Sequence, residues 1–332
     1  MHKLSNLEYS FLIRELAPKI VGKHFRRIKK ISVGLYRIKI GDSEILCELG
    51  IRIHETRLLE KSELTDKFIE KVSKELDNAK LLSLEQINND RILSFNFDKC
   101  SLIFEMFGEG NIVLVCNSNI VCAHKYESWS DREIAVGASY KPPKTMPSDN
   151  LDLSDRYVIV SLMKLPFGKE YALEVLSRAG IDEKTPGNQL TETEITKLKH
   201  ELEMLKHLVK VYGFYEKGKI ADFALTSLSK YAAMEKKEFA TLSDAADEYY
   251  AAVEKPNPEV EKLLRRLEKQ KERLVGLIEE EKMSRLKGDY IYARYVEIEH
   301  ILDLAKTGKL TELEAYSVKI NKKDKSIEVE LE

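Results

Sequence analysis

Residues 91–116 read RILSFNFDKCSLIFEMFGEGNIVLVC, and this stretch decides the fold class. Three runs rich in Ile, Leu, Val and Phe are separated by turn residues at Asp98-Lys99 and Gly108-Glu109-Gly110, a pattern typical of short strands. Similar runs, RRIKKISVGLYRIKI and EILCEL, lie between this stretch and Phe25. The sequence therefore predicts a β-sandwich or curved sheet that closes near Pro142-Pro143.

Two helices are predicted beside these strands. Ser5 and Glu8 have the spacing of a capping box, and the apolar periodicity that follows predicts a helix from about residue 6 to 21. Gly22 ends this helix. A second helix, DKFIEKVSKELDN, interrupts the strand region and carries one apolar face. The first domain, residues 1–150, is thus of the α+β class.

Helix signals replace strand signals after Ser154. The turn Leu165-Pro166-Phe167-Gly168 and the run EYALEVLSRAG predict a helix, a tight glycine turn and a second helix. Thr191 and Glu194 form the cap of a further helix. Residues 151–255 are predicted to form a small helical domain of the helix-hairpin-helix type.

A coiled-coil arm is predicted for residues 256–332. Pro256 and Pro258 mark its start, and apolar residues then follow in alternating steps of four and three, at Val260, Leu264, Leu267, Leu274 and Ile278. Gly288 is predicted to interrupt the helix, and the chain ends in a strand-like hairpin. Because a single long helix cannot bury its seam, we expect a truncated arm or a homodimer through the arm.

The composition is that of a globular protein with balanced charge. The 332 residues are 43% hydrophobic and 33% charged, and the formal net charge is -2. Global electrostatics therefore indicate no partner, so any nucleic-acid site must come from local clustering. The amino terminus lacks the pattern of a signal peptide, and no apolar run is long enough for a membrane span. A cytoplasmic protein without membrane contact is expected.

Neither the cysteines nor the histidines form a chemical signature. The four cysteines include no Cys-x-x-Cys pair, which argues against a zinc site and a disulfide framework and fits a reducing compartment. No phosphate-binding loop, nucleophile elbow or His-Glu-x-x-His spacing is present. We therefore expect no enzyme activity, no cofactor and no metal.

The densest positive run is KIVGKHFRRIKK, residues 19–30, which contains no acidic residue. Six cations on a folded surface would contact phosphates and give salt-dependent binding. An edge strand protected by lysines explains the same run, and both interpretations stay open. The predicted phosphate-contacting residues are Lys19, Lys23, Arg26, Arg27, Lys29 and Lys30.

Three further segments have both a structural and a functional interpretation. In the structural interpretation, Asp90 is a turn residue and Arg91 is a charge at the end of a strand. In the functional interpretation, the Asp90 carboxylate orients the Arg91 guanidinium toward an unpaired base. Arg52 and His54 alternate with isoleucines and so share one strand face. The helical hairpin at 165–180 would present backbone N–H groups to a phosphate, although short helical hairpins are common.

Four spaced motifs, in this order, resemble the NFACT family of ribosome-associated quality-control factors. They are Gly-Ile-Arg-Ile-His-x-Thr at 50–56, Asp-Arg-Ile at 90–92, Gly-Asn-Ile-Val-Leu at 110–114 and Val-Gly-x-x-Tyr-x-Pro-Pro at 136–143. The resemblance continues through the helical hairpin and the arm to Lys287-Gly288-Asp289, and so covers essentially the full chain.

The resemblance implies both a fold and a function. The fold would be a sandwich like the amino-terminal domain of MutM-like DNA glycosylases, a helix-hairpin-helix domain and the start of a coiled coil. Family members bind the large ribosomal subunit and its rRNA and hold a tRNA, in several lineages alanyl-tRNA, while a stalled nascent chain is extended without mRNA. Asp90 and Arg91 match the family's tRNA-recognition element, and Glu8 stands where the family has Asp. Arg52 and His54 are predicted to join this tRNA-binding set.

Two departures and two alternatives accompany this resemblance. Glycosylases of the related fold use an amino-terminal proline as nucleophile, and His2 here makes base excision unexpected. The family's carboxyl-terminal RNA-binding domain is missing, so either a fragment or a naturally shortened form is expected, and a fragment is favoured. A fibronectin-binding-type adhesin and a DNA-binding relative of base-excision glycosylases are the alternative functions.

Overall fold

The computed structural model describes residues 1–59, 64–144, 150–154, 156–207, 210–253, 258–308, 313, 316, 318–321 and 326–329. These residues form two compact units, Met1–Glu261 and Lys262–Glu332. The boundary predicted near residue 150 lies inside the first unit, and the division into three domains stays a prediction.

Helices and strands alternate along the chain in a mixed order. The helices of the described residues are α1 Asn6–Ile20, α2 Lys67–Glu75, α3 Val158–Met163, α4 Lys169–Ala179, α5 Glu192–Lys206, α6 Leu242–Val253, α7 Pro258–Ala293 and α8 Tyr295–Lys306. The strands are β1 Phe25–Ser32, β2 Leu35–Ile40, β3 Ser43–Glu48, β4 Arg52–Glu55, β5 Leu81–Gln86, β6 Ile92–Phe97, β7 Cys100–Glu105, β8 Asn111–Cys116, β9 Asn119–Ala123, β10 Glu127–Ser128, β11 Glu133–Ile134, β12 Val211–Glu216, β13 Lys219–Ala224, β14 Glu235–Phe239, β15 Val318–Asn321 and β16 Ser326–Val329.

Two antiparallel sheets form the first part of the chain. Strands β1 to β4 and strands β5 to β9 each pair in sequence order, as consecutive hairpins do. Their inner faces meet in one hydrophobic core, where the rings of Phe25 and Phe97 are 5.9 Å apart and the sulfurs of Cys47 and Met106 are 4.0 Å apart. Helix α1 packs along β5. The predicted sandwich and the α+β class are confirmed.

The middle region contains the predicted helical hairpin and, in addition, a sheet. Helices α3 and α4 flank the glycine turn, and Gly180 ends α4 in the left-handed conformation, with φ 73°. Strands β13, β12 and β14 then form a three-stranded antiparallel sheet. The prediction that strand signals end after Ser154 is therefore wrong. Lys217 and Gly218 both have positive φ, and this two-residue turn between alternating apolar runs was the overlooked hairpin signal.

Two cysteines form a disulfide, although the spacing of the four cysteines argues against one. Cys100 and Cys116 lie directly opposite each other in the β7–β8 register, with a Cα–Cα distance of 4.3 Å, and their sulfurs are bonded. The expectation of reduced cysteines is wrong for this pair, because strand pairing brings together two residues that are 16 apart in sequence. Cys47 and Cys122 are free and buried.

The arm differs from its prediction at one glycine. Helix α7 runs through Gly288 and ends at Ala293, and α8 begins at Tyr295. A single glycine lowers helix stability by only about 1 kcal/mol, which a 36-residue helix tolerates. The terminal hairpin is confirmed as the pair β15 and β16. No helix in the described part of the chain is long and apolar enough to cross a membrane.

Two glycines of the recognised motifs are in direct backbone contact. Gly50 and Gly110 have φ of 71° and 74°, and a Cβ on Gly110 would lie 2.4 Å from the Gly50 nitrogen. A Cβ on Gly50 would lie 2.5 Å from the Gly108 carbonyl oxygen. The two sheets therefore approach each other at a point where only glycine fits.

We expect Gly110→Ala to lower the free energy of unfolding by about 2 to 5 kcal/mol, because left-handed strain adds to a backbone clash. Gly108→Ala is the matched control, since Gly108 also has positive φ but a Cβ there would meet nothing within 4 Å. That control should lose only about 1 to 2 kcal/mol. Urea unfolding of both variants measures the difference, and equal losses would contradict the close-contact explanation.

Candidate nucleic-acid interface

The second residue of the chain is held between two carboxylates. His2 Nδ1 lies 2.7 Å from Asp222 Oδ1, and its Nε2 lies 3.1 Å from Glu8 Oε1. The backbone of His2 is held as well, because its N–H donates to the Tyr249 hydroxyl and its carbonyl accepts from the Tyr250 hydroxyl. The chain start is thereby joined to α1, β13 and α6.

The charge state of this cluster follows from its burial and its pairing. Burial by itself lowers the pKa of His2, but the carboxylates of Glu8 and Asp222 outweigh burial and raise this pKa to about 10. Burial acts to raise the pKa of Glu8, and the facing His2 together with hydrogen bonds from Ser5 lowers it. His2 is therefore a cation between two anions at neutral pH.

Glu8 is occupied by structural contacts. Its Oε2 accepts from the Ser5 backbone N–H at 2.7 Å and from the Ser5 hydroxyl at 2.8 Å, which completes the predicted capping box. Its Oε1 accepts from the Tyr171 hydroxyl at 2.9 Å. The side chain is 1% exposed. Both oxygens of Glu8 are therefore engaged by protein partners, although the residue also lines the cavity that contains Arg91, and its contact with tRNA stays a prediction.

Asp90 and Arg91 lie where the chain enters β6, beside the start of α1. Asp90 Oδ1 accepts from the Arg91 backbone N–H at 2.7 Å and faces the Asn6 amide at 3.4 Å. The Gln86 amide donates to the carbonyls of Asn6 and Asp90, at 3.0 and 2.8 Å. Asp90 thus orients the backbone of Arg91. The expectation that its carboxylate orients the guanidinium is wrong, because the carboxylate bonds the Arg91 backbone N–H instead.

The Arg91 side chain faces a cavity of about 430 Å³. Among the residues that the structure describes, no hydrogen bond or ion pair engages its guanidinium. The cavity is also lined by residues of separate elements, among them His2, Glu8, Met163, Gly168, Lys169 and Asp222. The cavity therefore joins the chain start, the β6 entrance, the helical hairpin and β13.

The glycine turn of the helical hairpin is seated on the start of α1. Gly168 has φ 88°, and a Cβ there would lie 2.9 Å from the Ser5 Cβ. Gly168 is also the N-cap of α4, and no side chain caps this helix end. The first backbone N–H groups of α4 therefore begin at the wall of the cavity that contains Arg91.

Arg52 and His54 lie in the interior, beneath α6. The Arg52 guanidinium stacks on the Tyr250 ring at 3.8 Å and lies 3.0 Å from a Glu48 oxygen. His54 Nε2 lies 2.9 Å from Asp247 Oδ1, and burial lowers the pKa of His54. The strand face that they share is thus covered by protein. Both side chains are buried, and their assignment as tRNA contacts stays a prediction.

In the basic segment, residues 19–30, some cations are paired with carboxylates and others are exposed to solvent. Lys30 is buried against Asp66 at 3.0 Å, Arg27 bonds Glu44 at 2.8 Å and Lys19 bonds Glu55 at 2.6 Å. Three of the six predicted cations are therefore matched by carboxylates.

Lys23 and Arg26 are exposed, and no salt bridge engages either within the described part of the chain. Lys29 is half-buried. Arg37 and Lys39 lie opposite Lys29 and Arg27 in the β1–β2 register, and both are paired with Glu44, at 3.7 and 3.4 Å.

We expect His2→Gln to lower the free energy of unfolding by about 3 to 5 kcal/mol, because two buried carboxylates lose their cation. The pKa of His2 is about 10 in the folded chain and 6.5 without partners, so its contribution is complete below pH 6.5 and is lost as pH rises toward 10. Urea unfolding across this pH interval should show that loss in the parent chain and its absence in the variant. His200→Gln, on an exposed face of α5, is the control and should keep the parent profile.

Comparisons with known proteins identify the family. The family model for NFACT N-terminal and middle domains matches residues 10–330. The archaeal Rqc2 homolog aRqcH of Methanocaldococcus jannaschii is 32% identical over 283 residues, which cover 74% of this chain and 41% of that relative. The human ribosome quality control complex subunit NEMF is 30% identical over 121 residues, 34% of this chain and 11% of that protein. The chain spans less than half the length of these curated relatives.

Solved structures support the fold. The N-terminal part of the fibronectin/fibrinogen-binding protein from Streptococcus suis has a TM-score of 0.60 at 20% identity, covering 75% of this chain and 99% of that structure. The fibrinogen-binding protein from Staphylococcus aureus has the same TM-score at 18% identity. At such identities the likeness extends to the fold alone. On the match over residues 10–330, the chain belongs to the NFACT family.

Proposed function

We propose that this protein binds tRNA and the large ribosomal subunit in ribosome-associated quality control, where it supports mRNA-independent carboxyl-terminal tailing of stalled nascent chains. The observation that carries the tRNA part is the Arg91 guanidinium, which faces a cavity of about 430 Å³ and makes no ion pair with any described residue. The names of the two curated relatives, an Rqc2 homolog and a ribosome quality control complex subunit, support the cellular role.

The geometry of the cavity suits an unpaired nucleotide. Its volume falls within the range of about 300 to 1,000 Å³ that is usual for small-ligand sites. A planar guanidinium can stack on a base or donate two parallel hydrogen bonds to its edge. Met163 adds an apolar wall, and the uncapped N-terminus of α4 offers backbone N–H groups to a phosphate. Asp90 acts in this scheme as a positioning residue for Arg91.

Phosphate contacts are assigned to the exposed part of the basic segment. Helix α1 separates this segment from Arg91, because Asn6 lies beside Asp90 and the basic segment begins at the opposite end of the helix. Fifteen residues at a rise of 1.5 Å each correspond to about 22 Å. A nucleic acid that contacts both places must therefore span roughly the width of a duplex. Lys23 and Arg26 are the residues we assign to phosphate contact, and a contact from the half-buried Lys29 stays a prediction.

The remaining partners are proposed on the strength of the family. Alanyl-tRNA is the preferred tRNA in this proposal, the protein acts in the cytoplasm, and binding rather than catalysis is its activity. The arm carries half-exposed apolar residues at Leu267, Leu274 and Ile278. The side chains of Val260 and Leu264 lie outside the described residues. We assign this seam to a coiled-coil partner, either a second copy of the chain or a ribosomal component.

We expect Arg91→Ala to weaken tRNA binding by about 1 to 3 kcal/mol, roughly five- to 150-fold, which is the scale of a base-stacking or forked contact. Fluorescence polarisation with labelled tRNA measures the change. Arg285→Ala, which removes an exposed arginine from α7, is the control and should bind as the parent chain does.

Two Asp90 variants separate its charge from its hydrogen bond. Asp90→Asn keeps an oxygen that accepts from the Arg91 N–H and should retain most of the affinity, whereas Asp90→Ala should approach Arg91→Ala. Unchanged binding of Arg91→Ala would remove the assignment of the tRNA site to this cavity.

The basic segment should act through salt-dependent phosphate contacts. We expect the double variant Lys23→Ala/Arg26→Ala to reduce the slope of log K against log salt concentration by roughly one for each lost contact. Titrations at several salt concentrations measure the slope. The control is Lys197→Ala/Lys199→Ala on the exposed face of α5, and an equal reduction in that control would show that only net charge matters.

A further inference from the structure

The chain's single tryptophan lies in a short hairpin at one end of the five-stranded sheet. Strands β10 and β11 form this hairpin, which is closed by a hydrogen bond from the Trp129 N–H to the Arg132 carbonyl at 2.9 Å. Three of the four family motifs end before this residue, the last of them at Leu114, and the fourth begins after it, at Val136. Neither the fold nor the proposed tRNA site uses the tryptophan.

The guanidinium of Arg132 packs against one face of the Trp129 ring. The Arg132 guanidinium lies 4.2 Å from the centroid of the Trp129 ring and 5.9 Å from that of Phe107. Glu105 binds the guanidinium through both oxygens, at 2.5 and 3.1 Å, and also accepts from the Tyr140 hydroxyl at 3.0 Å. Arg132 and Glu105 are buried. One face of the tryptophan is therefore occupied and held in place.

The remaining aromatic surface is open to solvent. Trp129 is 43% exposed, Tyr126 is 56% exposed, and Val136 beyond the hairpin is exposed as well. Large exposed apolar side chains that lie on a rigid support and close in sequence are characteristic of binding surfaces. We call Tyr126 and Trp129, which flank β10 on either side, the aromatic patch.

The aromatic patch is flanked by negative charge. Glu127, Asp131 and Glu133 are exposed, and none of them makes a salt bridge or a side-chain hydrogen bond with another described residue. The charge of Arg132 is matched by Glu105, and Lys125 is paired with Glu109 at 2.6 Å. The hairpin that carries Trp129 thus presents three exposed carboxylates, of which Glu127 also interacts electrostatically with Arg132.

We propose that the aromatic patch and its three carboxylates bind a lysine- and arginine-rich protein segment. Cationic side chains are attracted to the open face of an indole ring and to unpaired carboxylates at the same time. The same carboxylates repel a phosphate backbone, so the charge of this surface disfavours RNA as its occupant.

The position of the hairpin gives this surface a role beside the proposed tRNA site. The Met106 N–H donates to the Arg91 carbonyl at 2.7 Å, and Glu105 pairs with Ile92 in the β6–β7 register. The support of the aromatic patch therefore adjoins the residue assigned to tRNA. Arg91, at the entrance to β6, and the carboxylates of the hairpin thus adjoin the same end of the five-stranded sheet, an arrangement that suits a ribonucleoprotein partner.

Tryptophan fluorescence tests the proposal directly, because Trp129 is the chain's only tryptophan. Titration of the full chain with decalysine, which has no aromatic group, should shift or quench the emission in a saturable manner that added salt weakens. Decaglutamate and decauridylate should leave the emission unchanged. No response to decalysine, or an equal response to either of the other probes, would overturn the proposal.

Charge-removal variants locate the site. The triple variant Glu127→Gln/Asp131→Asn/Glu133→Gln should weaken decalysine binding by about tenfold, the combined effect of several exposed charge contacts. Glu279→Gln/Glu280→Gln/Glu281→Gln removes the same charge from the exposed face of α7 and should bind as the parent chain does. Equal losses in the two triple variants would overturn the assignment to the hairpin.

A ring-removal pair tests the tryptophan itself, with labelled decalysine and anisotropy as the readout. Trp129→Ala should lose about fivefold in affinity, and Trp129→Phe should recover most of it, because an aromatic face is what the cation contacts. Parent-like binding by Trp129→Ala would remove the ring from the site. Failure of these experiments would leave the tRNA proposal intact, since that proposal rests on Arg91 and the cavity.

Discussion

A protonated imidazole between two carboxylates joins parts of the chain that are more than 200 residues apart. His2 contacts Glu8 on the first helix and Asp222 on β13, and all three groups are largely removed from water. A single buried charge without a partner would strongly destabilise the fold. The three charges of this cluster offset one another, but only when the imidazole and the two carboxylates are correctly positioned. The cluster therefore acts as a geometric constraint between the sandwich and the middle region.

This constraint accounts for where the cavity lies. Because the chain start is held against β13, the entrance to β6 and the glycine turn before α4 meet around the same space. Gly168 packs against Ser5, and Asp90 faces Asn6. The start of α1 therefore positions both the glycine turn and the entrance to β6. Arg91 is then presented to the cavity by a backbone that its own neighbour restrains, while its guanidinium is left for a ligand.

Exposed charges of opposite sign lie at separate places on the first unit. The cations that keep their exposure, Lys23 and Arg26, lie beyond the far end of α1, whereas the unpaired carboxylates surround Trp129. Several other charged residues of the family motifs do not reach solvent at all. Arg52 and His54 are matched by Glu48 and Asp247 beneath α6, and their motif is explained by packing between β4 and α6.

The sequence by itself determined the elements whose signals are local. The Ser5–Glu8 capping box, the turns around residues 91–116 and the glycine turn before α4 depend on neighbours a few residues away, and all three are found as predicted. The family, too, could be recognised from short motifs in order. Local chemistry is sufficient here because capping, turn formation and alternation involve contacts within one element or one hairpin.

Only the tertiary structure decided which charged residues are available to a ligand. Glu8, Arg52 and His54 have the same polar character in the sequence as Arg91, but their partners, Tyr171, Tyr250 and Asp247, come from elements more than 150 positions away. The bond between Cys100 and Cys116 and the support of Trp129 by Arg132 and Glu105 likewise depend on strand register and hairpin docking. Burial and pairing are properties of the whole packed chain, and no single segment contains the information that determines them.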